Sequence, residues 1–532
     1  MSSVLGIRNV IIALSSARCS KFRQSDKTML RRPHLINRIA SSNVVSPIRG
    51  ASTTVGDQEY RNSNPGPTLS DPKPFSSIPC PKGWPILGTA LEIANNTGKV
   101  HLLHCQRVKD YGRIWREKAG AMDFVMVASA EAVEDLIRNE GDIPYRRSHH
   151  LLAEYYRVKS QPEAILVSNG ENWRRMRSVL EKPILKPSSL SNHVTSMRAV
   201  SSDFLNRLDT LRDDRGDVNN IDSELLKWSL EAAGVVLYSR RLGCLSRDPP
   251  PGIEEFIESV GQVNTLLSTS RTYPLFILKT LKRKLWNQFN KACDKSFAFV
   301  QREINKSLEE PEAQSLVSHV MAGGTLTSAE MYSNVSEITL ASGDTTSTWA
   351  HFILWELCHR PSLQEKVYQE IMSVVGENEE ISYSTLSKLK YTTGFVKEIL
   401  RLHPPIFINL RKLKHGGVIC GYKIPPETTI AVAMYALGRD PNVYKDPEEI
   451  KPERWIRSYE ERDVMNSFAF VPFGWGQRSC IGRRIAVANV QLLLIELLRR
   501  FKLTTETKDL NLISRLTLTP GQPIQLKLTP RK

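Results

Sequence analysis

The chain has 532 residues, of which 41% are hydrophobic, so it can bury a large core, and its length alone allows two to four domains. The formal net charge is +16, but residues 1–50 carry half of this excess, with nine Lys and Arg residues against one acidic residue. The rest has a modest positive excess without an aromatic-rich basic stripe, which argues against nucleic acid as a partner, and its cysteines lack the paired spacing of zinc or disulfide frameworks.

Residues 1–50 are rich in Ser and Arg and contain one short apolar run, Val10–Leu14. This run is far shorter than the ~20 residues that a membrane-spanning helix requires. The segment has the composition of a cleavable mitochondrial transit peptide, and the alternative is a disordered basic tail. We expect residues 51–69 to form a flexible linker and residues 70–532 to form one catalytic domain, entered through a proline-rich, extended stretch.

A helix is predicted around Trp173 and Arg177, which lie four residues apart and therefore share one helical face. The alternative for this segment is a cationic helix on the surface. Several amphipathic helical patterns follow between residues 222 and 310.

Residues 274–284, between two of these patterns, mix bulky apolar side chains with four cations. Such a segment can lie in a membrane interface, with Phe276, Ile277 and Leu278 in the lipid and the cations at anionic headgroups. The alternative is an ordinary helix that is turned towards the core.

Residues 337–357 have the pattern of a long helix, but the run Ala341–Thr346 places serine, glycine, an acid and two threonines inside it. These residues are costly in a helix, because Ser and Thr compete for backbone hydrogen bonds and Gly loosens the backbone. The cost indicates that the run has a function. The alternative is a helix that ends here and is followed by another.

Glu398 and Arg401 lie three residues apart on one face of a predicted helix, which Pro404 ends. Taken alone, they form a weak surface pair. Arg411 begins a region of strand-like alternation that runs to Pro425. Taken alone, its charge could simply lie on the edge of a strand.

The stretch 473–482 combines an aromatic residue, three glycines, an arginine and one cysteine, Cys480. The glycines permit a turn whose N–H groups can point at the sulfur, and the apolar spacing that follows predicts a helix whose N-terminus lowers the pKa of the thiol. Arg478 would face an acidic group. These features predict a haem-thiolate loop, in which the sulfur pushes electron density onto iron and favours oxygen activation. The alternative is a buried free cysteine in a glycine-rich turn.

The stretch resembles the haem-binding signature Phe-Gly-x-Gly-x-Arg-x-Cys-x-Gly of the cytochrome P-450 monooxygenases, and Gly482–Ala486 resembles their mitochondrial branch. The resemblance covers about residues 70–530, with the proton-relay, Glu-x-x-Arg, Pro-Glu-Arg and haem-loop motifs in the family's order. It implies a mainly α-helical fold with a small β region, and haem b (iron protoporphyrin IX) buried between the proton-relay helix and the cysteine loop.

The resemblance also implies roles for individual residues. Asp344 and Thr345 would be catalytic and deliver protons, although Ser342 stands where glycine is usual, so we expect a narrower or differently hydrated groove over the haem. Cys480 would be the metal ligand. The expected haem contacts are Trp173, Arg177, Arg411, Phe473, Arg478, Cys480 and Gly482. The expected buried structural triad is Glu398, Arg401 and Arg454.

The electrons must come from a partner, because the chain has no Gly-x-Gly-x-x-Gly motif of its own for a flavin or nicotinamide. The mitochondrial branch implies a small acidic iron-sulfur ferredoxin, reduced from NADPH by its reductase and docked on Lys397, Arg483 and Arg484. Thr393 stands where the branch often carries a further lysine, which shifts the expected docking towards Lys388, Lys390 or Arg499–Arg500. The implied location is the matrix side of the inner mitochondrial membrane, with residues 274–284 as the peripheral membrane contact.

The predicted reaction inserts one oxygen atom from O2 into a C–H bond of a small apolar substrate, expected to be a steroid, sterol or ecdysteroid. The ecdysteroid expectation rests on Gly343–Thr346 and Gly438–Asp440, which resemble insect moulting-hormone hydroxylases. One alternative is a haem-thiolate isomerase or synthase that acts on a peroxide, and the Asp344–Thr345 pair argues against it. A second is a haem-based sensor or binding protein.

Overall fold

Helices make up most of the described chain, and the β-structure is confined to short strands. The computed structural model describes residues 71–531 except 86, 120–121, 148, 271–272, 311–314, 377–379 and 460–465. The predicted transit peptide, 1–50, and the predicted linker, 51–69, lie outside the described residues. The expected fold class, mainly α with a small β region, is confirmed.

The described residues contain eighteen α-helices, numbered here in chain order. They are α1 Ala90–Asn95, α2 Val100–Tyr111, α3 Ala130–Asn139, α4 His150–Lys159, α5 Gly170–Leu185, α6 Pro187–Ser191, α7 Val194–Leu211, α8 Ile221–Leu237, α9 Ile253–Ser270, α10 Leu275–Lys279, α11 Arg283–Leu308, α12 Leu316–Ala322, α13 Ser328–His359, α14 Pro361–Val375, α15 Tyr383–Lys388, α16 Lys390–Leu402, α17 Met434–Leu437 and α18 Arg483–Arg500. Short 3-10 turns lie at Phe75–Ser77, Pro452–Trp455 and Gly476–Arg478.

The strands form one mixed sheet and three smaller antiparallel units. They are β1 Ile114–Ala119, β2 Met122–Val127, β3 Asp217–Val218, β4 Asn409–Leu413, β5 Gly417–Ile419, β6 Tyr422–Ile424, β7 Thr428–Val432, β8 Phe501–Thr505, β9 Ile513–Ser514, β10 Leu518–Thr519 and β11 Leu526–Pro530. The largest sheet has the order β1-β2-β7-β4, in which only the β2–β7 pair is parallel. The others are β3-β11-β8, the hairpin β5-β6 and the hairpin β9-β10.

Helix α13 is the central element, and it runs without interruption through the predicted break at Ala341–Thr346. It begins with a capping box, in which Thr327 and Glu330 satisfy each other's backbone N–H groups. Its N-terminal half packs with α4, α5, α9, α11 and α12, its C-terminal half packs with α14, α16 and α18, and α8 packs along its middle. The alternative of two consecutive helices is therefore wrong.

The glycine in this run is explained by helix packing. A Cβ at Gly343 would lie 2.8 Å from Cδ2 of Leu230 and 3.2 Å from Cδ1 of Leu226, both on α8. The missing side chain lets α8 and α13 approach closely, and packing at that density leaves no room for an added methyl group.

Residues 274–284 differ from the expectation in one respect. They form the short helix α10 and its link to α11, with Ile277 and Leu278 buried in the core. The expectation that these two side chains enter lipid is wrong, because their side of α10 packs against the protein. Phe276 and Leu281 remain exposed, at 60% and 68%. Among the described residues, none of the helices has both the length and the apolar character needed to cross a membrane.

Candidate functional site

The cysteine loop, residues 473–482, lies between the two halves of the core and directly precedes α18. Gly474 and Gly476 adopt φ angles of 72° and 58°, which favour glycine, and so allow the loop to turn back. The backbone N–H of Cys480 donates to the carbonyl of Phe473 at 2.7 Å, and the ring of Phe473 lies edge-on to Trp349 of α13 at 6.1 Å. The loop and α13 therefore face one another, as expected for the two walls of a haem site.

Cys480 is exposed by its surface area, yet protein surrounds its side chain closely enough that burial raises the pKa of its thiol. The Gly482 N–H group and the charges of Arg177, Arg483 and Arg146 act in the opposite direction. The expected lowering of this pKa by the helix N-terminus is therefore outweighed by burial. A metal ion, which deprotonates a ligating thiol outright, would reverse that balance.

Arg478 connects the cysteine loop to the segment before α5. Its Nε donates to the carbonyl of Pro144 at 2.8 Å, and its Nη2 donates to the carbonyl of Ser168 at 3.0 Å and to Oδ1 of Asn169 at 2.8 Å. Its guanidinium also lies 4.0 Å from the ring of Trp173. The predicted acidic partner can therefore engage only the remaining nitrogen, Nη1, which is buried without a hydrogen-bond partner among the described residues.

Arg146 joins the site although no sequence pattern marks it. Burial and then the charge of Arg411 lower the pKa of Arg146 to about 10, and its Nε is buried without a hydrogen-bond partner in the described structure. Burial and the charges of Arg146, Arg411 and Arg177 lower the pKa of Arg478. Four guanidinium groups thus converge beside Cys480, and the positive charge of each one disfavours the charge of its neighbours. They belong to Arg146, Arg177, Arg411 and Arg478.

Arg177 and Arg411 contribute to this group but already have partners. Arg177 lies on α5 one turn after Trp173 and donates through Nε to Glu181 at 2.8 Å. Arg411, on β4, donates to Oε2 of the buried Glu140 at 3.2 Å and lies 4.3 Å from the Trp475 ring. The alternative of an edge charge for Arg411 is wrong, since its side chain is fully buried.

The arginine group fits the two carboxylates of haem b. Buried cations without counter-charge are costly, and N–H groups left unpaired in the interior are costly as well. The unpartnered nitrogens of Arg146 and Arg478 lie in the same group, next to the accessible sulfur of Cys480. The site therefore needs negative charge for the arginines, acceptors for their unpaired N–H groups and a metal for the sulfur. A planar ligand with a metal at its centre and two acidic groups on one edge supplies all three, and haem b is such a ligand.

The two predicted catalytic side chains are neighbours on α13 but have different partners. The hydroxyl of Thr345 donates to the carbonyl of Ala341 at 2.9 Å. The carboxyl group of Asp344 accepts from Oγ1 of Thr517 at 2.8 Å, and burial raises its pKa. The Ser342 hydroxyl donates back to the carbonyl of Thr339 at 2.8 Å, so it is directed along its own helix.

The predicted structural triad is brought together away from solvent. Arg401 donates two hydrogen bonds to Glu398, at 2.8 Å and 2.7 Å, and Nε of Arg454 lies 3.4 Å from the same carboxylate. Trp455 Nε1 and the backbone N–H of Lys451 donate to it as well, each at 3.0 Å. The weak surface pair suggested by the spacing alone is therefore wrong.

The predicted docking cations lie on α16 and at the start of α18. Lys397 is half-buried with its Nζ 5.2 Å from the Trp455 ring, and burial followed by the charge of Lys390 lowers its pKa. Arg483 donates to the hydroxyl of Ser479 at 2.9 Å, and Arg484 donates to the carbonyl of Leu185. Each of these cations therefore already has a protein contact.

Comparison with known proteins identifies the family to which the chain belongs. The family described as cytochrome P450 matches residues 78–528. Cytochrome P450 10 of Lymnaea stagnalis is 32% identical over 89% of both chains. The mitochondrial 1,25-dihydroxyvitamin D(3) 24-hydroxylase of Mus musculus is 30% identical over 87% of this chain and 91% of its own. The mitochondrial sterol 26-hydroxylase of Homo sapiens is 28% identical over 82% and 85%. The chain therefore belongs to the cytochrome P450 family and is a haem b-dependent monooxygenase.

Proposed function

We propose that this enzyme hydroxylates a steroid, sterol or secosteroid in mitochondria, with electrons that pass from NADPH through a ferredoxin reductase and a ferredoxin. The similarity to relatives named as mitochondrial vitamin D and sterol hydroxylases supports the substrate class and the compartment. An ecdysteroid is the narrowest form of the proposal and rests on Gly343–Thr346 and Gly438–Asp440.

In this proposal Cys480 is the metal ligand, and Arg146, Arg177, Arg411 and Arg478 balance the haem carboxylates. The convergence of these four cations beside one accessible sulfur is the observation that supports it most strongly. When bound, haem b supplies the activation of O2 and the insertion of one oxygen atom. Apolar residues of both walls, Phe473 and Ile481 of the loop and Leu340 and Trp349 of α13, pack into the core, which would limit the access of bulk water to this chemistry.

Proton delivery is assigned to Asp344 and Thr345 on α13. The Asp344 carboxyl group can hold a proton at Oδ1 and release it, because burial raises its pKa, while Oδ2 accepts the hydrogen bond from Thr517. The Thr345 hydroxyl can accept a proton and pass on its own, and its bond to the Ala341 carbonyl fixes its orientation. These two residues distinguish a monooxygenase from a haem protein that only binds a ligand.

Electron delivery is assigned to an acidic ferredoxin that docks on Lys397, Arg483 and Arg484. Arg483 and Arg484 begin α18 directly after the cysteine loop, which gives a short distance between a docked donor and the metal ligand. Attraction between an acidic donor and these cations would speed association and weaken with salt. An electron-transfer rate that does not change with ionic strength would contradict charge-guided docking.

Peripheral contact with the matrix face of the inner membrane is assigned to residues 274–284. Phe276 and Leu281 are exposed apolar side chains, and Lys282 and Lys284 lie beside them. The double variant Phe276→Ser with Leu281→Ser is expected to float less with anionic liposomes than the parent. Leu211→Ser removes an apolar side chain that is 43% exposed elsewhere and is the matched control. Equal flotation of the double variant and the parent would refute the assignment.

The test of the whole proposal is O2 uptake that depends on both NADPH and ferredoxin in the presence of a sterol. A panel of cholesterol, 25-hydroxyvitamin D3 and ecdysone is first screened for displacement of iron-bound water, seen as a shift of the haem absorption band. A hydroxylated product with equal consumption of NADPH and O2 supports the proposal. Turnover of an organic peroxide without electrons would favour an isomerase or synthase, and spectral shifts without turnover would favour a sensor.

The ligand assignment is tested separately with Cys480→Ser. The parent is expected to show the reduced carbon-monoxide absorption band of a thiolate-ligated haem, and the variant is expected to lose it. A variant that keeps this band would refute Cys480 as the ligand.

A further inference from the structure

The carboxyl group of Asp344 is held by a residue that lies 173 positions further along the chain. Thr517 Oγ1 donates to Oδ2 of Asp344 at 2.8 Å, and Thr517 is only 4% exposed. Thr517 lies between β9 and β10, so the contact joins the relay helix α13 to this hairpin.

The backbone around Thr517 is fixed by contacts that do not involve Asp344. The N–H of Arg515 donates to the Thr517 carbonyl at 2.8 Å, and the N–H of Leu518 donates to the Pro405 carbonyl at 2.8 Å. On the other strand, the N–H of Ser514 donates to the carbonyl of Gly98 at 2.7 Å. The hydroxyl of Thr517 is thus presented to α13 by a hairpin that other elements anchor.

The hydroxyl acts against the effect of burial on Asp344. Burial raises the pKa of Asp344, while the hydrogen bond from Thr517 and then the charge of Arg515 lower it. A donated hydrogen bond stabilises the charged carboxylate more than the neutral acid, so it favours the proton-accepting state. Arg515 is exposed, and it lies two residues from Thr517 on the same turn.

We propose that Thr517 is a positioning residue for proton delivery: its hydroxyl orients the carboxylate of Asp344 towards the β9–β10 hairpin and keeps it charged between proton transfers. The inference rests on the relay role given to Asp344 in the proposed function. In each transfer Asp344 takes one proton from solvent on the hairpin side and gives one proton to the Thr345 side, and Thr517 itself neither gains nor loses one.

The test compares four variants, each with one side chain changed. Thr517→Val keeps the branched shape and removes the hydroxyl, whereas Thr517→Ser keeps the hydroxyl. Thr519→Val is the matched control on the same hairpin, because the one contact of the Thr519 hydroxyl among the described residues is a long one, 3.4 Å to the Ile513 carbonyl. Asp344→Asn removes the relay carboxylate, and the reduced carbon-monoxide spectrum verifies haem loading of every variant.

The first measurement is the rate of O2-dependent NADPH consumption without added substrate, with saturating vertebrate mitochondrial ferredoxin and its reductase. Loss of a charge-assisted hydrogen bond is expected to slow this rate about tenfold in Thr517→Val and to raise its solvent isotope effect. Thr517→Ser and Thr519→Val are expected to stay close to the parent. If Thr517→Val loses haem, Thr517→Ala replaces it in both measurements.

The second measurement is infrared absorption of the carboxyl groups, which does not depend on turnover. Thr517→Val is expected to gain a band of a protonated carboxylic acid, and the double variant with Asp344→Asn is expected to lose it. If Thr517→Val matches Thr519→Val in both measurements, the inference is overturned. If Asp344→Asn alone keeps the parent rate, the relay role in the proposed function fails, while the infrared band still decides whether Thr517 holds Asp344.

Discussion

Replacement of Glu398 by alanine should remove haem from the protein by releasing buried charge. The Glu398 and Arg401 side chains are fully buried, and Arg454 is 2% exposed, so Glu398→Ala leaves two guanidinium groups in the interior without their carboxylate. Breaking a buried ion pair in this way costs about 3–5 kcal/mol. A typical domain has about 5–15 kcal/mol of unfolding free energy, so the loss is a large fraction of it.

The loss should reach the haem site through the segment that the triad holds. Arg401 donates to the carbonyls of Gly438 and Glu449, each at 2.8 Å, and so fixes the chain before the cysteine loop. Trp455, which donates to Glu398, lies 4.3 Å from the ring of Phe470 at the entrance to that loop. Without the Glu398 carboxylate, neither Arg401 nor Trp455 is held in the position from which it makes these contacts.

The assay measures two quantities, the haem absorption per protein and the urea midpoint, and compares Glu398→Ala with Glu134→Ala in both. Glu134 pairs with Arg138 on the outer face of α3, where their side-chain exposures are 30% and 68%, and such a pair contributes only about 0.3–0.5 kcal/mol. We expect the first variant to lose most of its haem and the second to keep it. A fully loaded Glu398→Ala with an unchanged midpoint would refute the reasoning.

Three further outcomes are expected from the described contacts. Gly343→Ala should lower the free energy of unfolding by about 1–3 kcal/mol, because the new Cβ collides with Leu230. Gly261→Ala should raise it by about 0.4–1 kcal/mol, because the new Cβ has no other atom within 4 Å. The urea midpoints of the two variants are compared with that of the parent. His101 is buried with its pKa lowered to about 4 by burial and by the charge of Arg439, so the unfolded chain takes up its proton first as the pH falls below 6.5. The free energy of unfolding should therefore fall by about 2 kcal/mol between pH 6.5 and 5. In His101→Gln, the free energy of unfolding measured with urea should depend less steeply on pH. Arg478→Lys should release haem to apomyoglobin at least about tenfold faster, since one ammonium group cannot reach three separate carbonyl acceptors; an unchanged transfer rate would contradict this.

The parts of the site that the sequence predicted are those set by short spacing. Trp173 and Arg177 share α5 because they lie four residues apart, and Cys480 precedes a helix because apolar periodicity follows it. The triad needed more than spacing, since Glu398 and Arg401 alone suggest a surface pair. Its burial was implied only by the family resemblance.

The parts that the sequence did not predict depend on partners that are distant in the chain. Arg146 and Glu140 reach the site through hydrogen bonds and charges to residues more than 250 positions away, and no local pattern reports such a meeting. Thr517 and Asp344 are a further example. For residues 274–284, only the placement of Ile277 and Leu278 in lipid was wrong. The sequence could not place these two side chains, because five apolar residues beside cations suit a membrane surface and a core-facing turn equally well.

The two walls of the haem site are also tied to each other by protein contacts alone. From the cysteine loop, Arg478 holds the carbonyls of Pro144 and Ser168. From α13, the Asn334 side chain accepts the N–H of Ile165 at 3.0 Å, and the Glu337 carboxylate accepts the N–H of Leu166 at 2.8 Å. These four acceptors and donors lie on one segment, residues 144–168, so a displacement of that segment changes both walls together. The spacing between the sulfur of Cys480 and the residues Asp344 and Thr345 of α13 therefore depends in part on this segment.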